Sequence, residues 1–126
     1  MTGAVPHVLV VEDNTHVASA MRTLFAETGH RVTLAGTAAA AVTACVADRA
    51  DVMLLDLTLP DGNGLDALTE LRALNAAPRM TIALTGHDDA ATRTRCLDAG
   101  CDEVLLKPVP ARELLRMMAQ WIASGT

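Results

Sequence analysis

Short apolar runs of strand length alternate with stretches of helical period along nearly the whole chain. His7 to Val11 is the first run, and Val17, Met21, Leu24 and Phe25 then recur at helical spacing up to a Gly29 stop. Arg31 to Ala35 reads as a second strand, followed by an alanine-rich helix from about Thr37 in which Ala38, Val42, Cys45 and Val46 are expected to face inward. Val52 to Leu55 is the third strand, and Leu65, Leu68 and Leu71 mark the third helix. Met80 to Leu84 is the fourth run, with Asp88 and Asp89 as caps to a helix ending near Gly100. Val104 to Leu106 is the fifth, and a last helix runs from about Pro110 to Ile122. Strands that are nearly continuously apolar must be covered on both faces, so the pattern predicts a parallel sheet with helices on either side. The fold class is therefore α/β, a doubly wound domain with its site at the carboxyl ends of the strands.

The last helix also carries a directional pattern. At about 100° per residue, Ala111, Leu114, Leu115, Met117, Met118, Trp121 and Ile122 span an arc of roughly 160°. Core packing accounts for most of it. Met117 and Trp121 lie at one margin, where a partner helix would be the other reading.

Composition narrows the function classes. The 126 residues are 51% hydrophobic, enough for one domain with a real core. A net charge of -5, with no basic stripe, argues against direct nucleic-acid binding. The N-terminal apolar run stops at Glu12 and Asp13, so neither a signal peptide nor a membrane span is expected. Cys45, Cys96 and Cys101 are odd in number and lack CxxC spacing, which favours buried thiols in a reducing cytoplasm over a disulfide framework or zinc site. With no linker or low-complexity stretch, residues 1–126 are expected to form one domain without an effector domain.

Crossover geometry puts the polar residues that follow each apolar run on one rim. These are Glu12 and Asp13 after the first strand, Asp56 after the third, Thr85 after the fourth and Lys107 after the fifth. Crowded carboxylates repel and call for a cation, and hard oxygen donors without His or thiolate select Mg²⁺, Mn²⁺ or Ca²⁺, with Mg²⁺ favoured. Lys107 is the single lysine beside nine arginines. A compact ammonium fits against a phosphoryl oxygen where a guanidinium fork does not. Other phosphate motifs fall away: VVEDNTH has no glycine, and the Gly-x-Gly of PDGNG reads as turn chemistry. The only serines, Ser19 and Ser124, lie in the first helix and the tail, so a Ser/His/Asp triad is unsupported.

Taken in order, VVEDN, DLTLPDGNG, ALTG and LLKP resemble the receiver domains of two-component response regulators over essentially the whole chain. The resemblance implies a flavodoxin-like fold of five parallel strands in the order 2-1-3-4-5 with five helices. It implies that Asp56 is the phosphoacceptor, taking a phosphoryl group from the phosphohistidine of a sensor histidine kinase or histidine phosphotransfer protein. Glu12, Asp13, Asp56 and the backbone carbonyl of Thr58 would hold Mg²⁺, Lys107 would balance charge on the phosphoryl oxygens, and Thr85 would donate its hydroxyl to one of them. Thr58, Gly86 and His87 stand where the family tunes phosphoryl lifetime, and Pro108 fits a tight turn that can hold a cis peptide. A downstream protein or second copy would bind the face of the fourth helix, fifth strand and fifth helix. The implied setting is cytoplasmic.

The chain departs from the family at Val104, where a tyrosine or phenylalanine usually swings inward as the threonine moves. Phosphorylation chemistry should survive, with weaker coupling to that face. Glu12 in place of the commoner aspartate still reaches a metal. Two other classes compete. One is a receiver-fold scaffold that binds partners without phosphate. The other is a Mg²⁺-dependent aspartyl phosphohydrolase, ranked last because Thr58 stands where such enzymes carry a general acid.

Overall fold

The computed structural model describes residues 5–87 and 89–124, with side chains through residue 121. In chain order the elements are β1 (His7–Val11), α1 (Thr15–Glu27), β2 (Arg31–Ala35), α2 (Ala38–Ala47) and β3 (Val52–Asp56). Two short strands follow, β4 (Thr58–Leu59) and β5 (Gly62–Asn63), then α3 (Gly64–Ala73), β6 (Met80–Thr85), α4 (Ala90–Ala99), β7 (Glu103–Leu106) and α5 (Ala111–Ser124). Five strands form one parallel sheet in the order β2-β1-β3-β6-β7, while β4 and β5 pair antiparallel on their own. Counting only the main sheet, this is the expected order 2-1-3-4-5.

Alternation along the strands divides the core into two layers. Val8 and Val10, Val52 and Leu54, and Ile82 and Leu84 pack with Phe25, Leu114 and Met118, beneath α1 and α5. Leu9, Val11, Met53, Leu55 and Ala83 pack with Ala41, Cys45, Leu68, Leu71 and Cys96, beneath α2, α3 and α4. Both faces are thus buried, as continuous apolar strands require. The three cysteines are free and buried. Burial pushes the Cys101 thiol up to about 12, so it is no nucleophile.

Helix ends follow local chemistry. Asn14 caps α1 by accepting from the His16 and Val17 N–H groups, Asn63 caps α3, and Asp89 caps α4 by accepting from the Thr92 N–H. Gly100, at φ 110°, ends α4 in the left-handed region that favours glycine. Asp88, the other expected cap, lies outside the described residues, as does the Ile122 side chain.

Several boundaries differ from the sequence reading. β3 and β6 continue one residue further, through Asp56 and Thr85, because ladder pairing needs backbone and not an apolar side chain; Asp56 stands opposite Leu84, and Thr85 opposite Leu106. Val46, expected inside, is 54% exposed. Cys45 takes the inward position, and the next residue, about 100° further round, faces solvent. On α5, Leu114 and Met118 are buried, Leu115, Met117 and Trp121 are half-buried, and Ala111 is exposed.

Candidate functional site

β3 is the central strand, and its last residue delivers Asp56 to the rim between the ends of β1 and β6. The carboxylate is buried, at 4% exposure for the residue. Each of its oxygens has a partner: the Thr58 N–H donates to Oδ1 at 3.0 Å, and Lys107 Nζ lies 3.0 Å from Oδ2. Lys107 Nζ also lies 3.6 Å from Glu12 Oε1, while the Asn14 N–H donates to Glu12 Oε2 at 3.1 Å. One ammonium thereby serves two buried carboxylates.

Asp13 completes the cluster from the exposed side. Glu12, Asp13 and Asp56 each offer a carboxylate oxygen, all within 4.8 Å of one another. Burial raises the Glu12 carboxyl above its ordinary range; the Asn14 N–H and Lys107 draw it down, and Asp56 adds to the rise. Three acids facing one ammonium leave negative charge uncompensated, and their donors are hard oxygens in a half-open site. That set fits Mg²⁺, which takes a few carboxylates and keeps waters.

The electrostatic scale separates chemistry from stability. At an effective dielectric of about 20, a unit pair at the Lys107–Asp56 separation of 3.0 Å attracts by about 5.5 kcal/mol. Taking such ions out of water costs several kcal/mol each, so the pair leaves little net stability. Its effect is to fix the Asp56 side chain in one orientation.

The remaining predicted residues lie around this centre. The Thr85 hydroxyl accepts from the His87 N–H at 3.0 Å and faces the His87 carbonyl at 3.4 Å, so it is engaged with its own loop. Gly86 and His87 are exposed. The Lys107 N–H donates to the Thr85 carbonyl at 2.7 Å, and the Lys107–Pro108 peptide is cis. Val104 is buried, opposite Ala83 in the ladder, and belongs to the layer beneath α4.

Three supporting residues escaped the sequence reading. Gly64 allows the start of α3 to pack on β3: a Cβ there would stand 2.3 Å from the Asp56 carbonyl oxygen. Asn63 Oδ1 accepts from the Leu65 N–H at 2.8 Å and sets the exit of the loop. Asp61 reaches across to the Ala38 and Ala39 N–H groups of α2. The glycine and asparagine carried a local cue, as a turn followed by a cap. The Asp61 contact carried none.

The chain is similar to known proteins in sequence and in fold. The profile of the family described as Response regulator receiver domain matches residues 8–119. The transcriptional regulatory protein KdpE of Mycobacterium tuberculosis is 34% identical over 119 residues, covering 94% of this chain and 52% of that protein. The sensory transduction protein RegX3 of Mycolicibacterium smegmatis is 34% identical, covering 94% and 51%. The chain thus spans about half the length of these regulators. Among solved structures, a CheY-like receiver domain protein from Methanospirillum hungatei superposes with a TM-score of 0.88 at 25% identity, covering 96% of each chain. The receiver domain of the sensor histidine kinase PA1611 from Pseudomonas aeruginosa, solved with a magnesium ion in its active-site cleft, gives 0.83 at 35% identity, covering 95% and 99%. With its acidic rim, central aspartate and single lysine on this fold, the chain belongs to the response regulator receiver domain family of two-component signalling.

Proposed function

We propose that Asp56 accepts a phosphoryl group from the phosphohistidine of a sensor histidine kinase or histidine phosphotransfer protein. The observation that carries this reading is the Asp56 carboxylate itself: it is buried at the end of the central strand, with the Thr58 N–H on one oxygen and Lys107 on the other. A carboxylate so oriented is a prepared nucleophile. An oxygen of Asp56 forms the new O–P bond as the P–N bond breaks, and the electron pair of that bond leaves on the imidazole nitrogen. Lys107 balances charge on the phosphoryl oxygens, and the Thr85 hydroxyl turns from His87 to one of them.

Glu12, Asp13, Asp56 and the Thr58 carbonyl would hold Mg²⁺, which supplies positive charge against the incoming phosphoryl group. The domain is a signalling module that catalyses its own phosphorylation and dephosphorylation, and not a turnover enzyme. Thr58, Gly86 and His87 border the phosphoryl position and set how readily water reaches it. The phosphorylated state changes partner binding at the face of α4, β7 and α5 through a small change centred on the start of α4. No helix among the described residues is long and apolar enough to cross a membrane, and a cytoplasmic setting beside the kinase fits that.

Incubation with Mg²⁺ and acetyl phosphate, read by intact mass, tests the reading. One phosphoryl adduct, stable to acid and labile to base, is expected on the wild type and absent from Asp56→Asn. The same adduct on Asp56→Asn would place the phosphate elsewhere. No adduct from any donor, together with no Mg²⁺ or beryllofluoride binding, would leave the phosphate-independent scaffold as the function.

A further inference from the structure

The loop that leaves Asp56 is fastened at its far end as well as at its base. Thr58 pairs with Asn63 and Leu59 with Gly62, which puts Pro60 and Asp61 at the tip. From there the Asp61 carboxylate spans to the first turn of α2: Oδ1 accepts from the Ala38 N–H at 2.9 Å and Oδ2 from the Ala39 N–H at 3.1 Å. The helix has a cap of its own, since Thr37 Oγ1 accepts from the Ala40 N–H at 3.0 Å. At the other end of the loop, the Thr58 N–H holds Asp56 Oδ1, and the Gly64 N–H donates to the Leu57 carbonyl at 3.0 Å.

Asp61 and its two amide partners are at the surface, where water would replace either bond at little cost to the fold. What water would not replace is the geometry. Two bonds to the two oxygens of one carboxylate fix both the position and the rotation of the tip, and a two-residue ladder passes that constraint to Thr58. We propose that Asp61 is a positioning residue for phosphoryl transfer: tied to α2, it holds Thr58 where its N–H orients the Asp56 carboxylate and its carbonyl completes the Mg²⁺ site. This rests on the phosphoacceptor reading above.

The test compares three variants of the full chain with the wild type. Asp61→Ala removes both bonds. Ala38→Pro removes one from the helix side; proline suits a first helical position, and Thr37 already has the extended backbone required before it. Thr37→Ala loosens the same helix end without touching the loop. Mg²⁺ affinity by calorimetry and phosphorylation rate from acetyl phosphate should both fall on the order of tenfold in Asp61→Ala. Ala38→Pro should fall part of the way, and Thr37→Ala should match the wild type. In the metal-free protein the Thr58 amide resonance should shift in the first two variants only.

A folded Asp61→Ala that keeps wild-type Mg²⁺ affinity, rate and Thr58 resonance would overturn the inference. So would equal losses in Thr37→Ala. If Asp61→Ala does not fold, Ala38→Pro decides: unchanged in all three readouts, it overturns the proposal. A wild type that neither binds Mg²⁺ nor takes phosphate would overturn the phosphoacceptor reading and this inference together, an outcome visible before any variant is compared.

Discussion

Glu12, Asp13 and Asp56 bring three carboxylates within 4.8 Å of one another, with one ammonium shared by Glu12 and Asp56, and like charges so placed oppose folding unless a cation joins them. Removing one of the charges should therefore stabilise the metal-free protein. Asp56→Asn is expected to unfold at a higher temperature than the wild type without Mg²⁺, by about 0.5–2 kcal/mol of added stability. Saturating Mg²⁺ should raise the wild type, by about 2.7 kcal/mol at a hundred times its Kd, and raise Asp56→Asn much less. Thermal unfolding in EDTA and in Mg²⁺ measures both, and a less stable Asp56→Asn in EDTA would contradict the charge argument. Gly64 makes the opposite case. Its missing Cβ would stand 2.3 Å from a backbone oxygen, which cannot swing aside as a side chain can. Gly64→Ala should cost about 1–3 kcal/mol in denaturant unfolding and slow phosphorylation by displacing Asp56.

α4 is an element held by its ends. Thr92 and Cys96 are its buried residues, whereas Asp89 accepts from the Thr92 N–H at 2.7 Å at its start and Arg72 donates to the Ala99 carbonyl at 2.8 Å at its finish. Losing the cap should open the helix locally without unfolding the sheet. Amide exchange in α4 of Asp89→Ala should quicken about fivefold, with the β3 amides unchanged. The sign with pH follows from the cap. The Thr92 backbone N–H and hydroxyl hold the Asp89 carboxyl below its ordinary value, so the folded state binds its proton more weakly than the unfolded state. The cap's stabilisation is complete above the ordinary aspartate value and is lost as pH falls through the lowered one. The gap in melting temperature between wild type and Asp89→Ala should be constant near neutrality and close below about pH 4.

Much of this architecture is legible in the sequence, because nearly continuous apolar strands between helical periods admit few arrangements, and crossover topology sends every strand end to one rim. The acids and Lys107 were found that way. Val46 was misplaced because periodicity gives a face but not the residue at which a helix turns out to solvent. The β4–β5 pair has only two residues on each side and no period to read. The Asp61 link joins residues 22 and 23 apart through one side chain, a distance at which no local pattern speaks.

Across the whole molecule, the proposed signal has to pass from the rim to the α4, β7 and α5 face. Val104 is already buried, against the layer beneath α4, and its branched side chain has neither the reach nor the rotamer freedom of an aromatic ring. The Thr85 hydroxyl, now engaged with His87, has no ring to release when it turns toward a phosphoryl oxygen. We therefore expect a confined response. With Mg²⁺ and beryllofluoride, amide resonances should move at Asp13, Thr58, Thr85 to His87 and Lys107, and in the first turn of α4, where exposed Gly86 and His87 lead into the helix. Those of α5 and the interior of β7 should move little, because Leu114 and Met118 anchor α5 to the opposite layer of the sheet. Large shifts throughout α4 and α5 would show that the fold transmits the change without an aromatic residue. The coupling would then have to run through the backbone link from the Lys107 N–H to the Thr85 carbonyl.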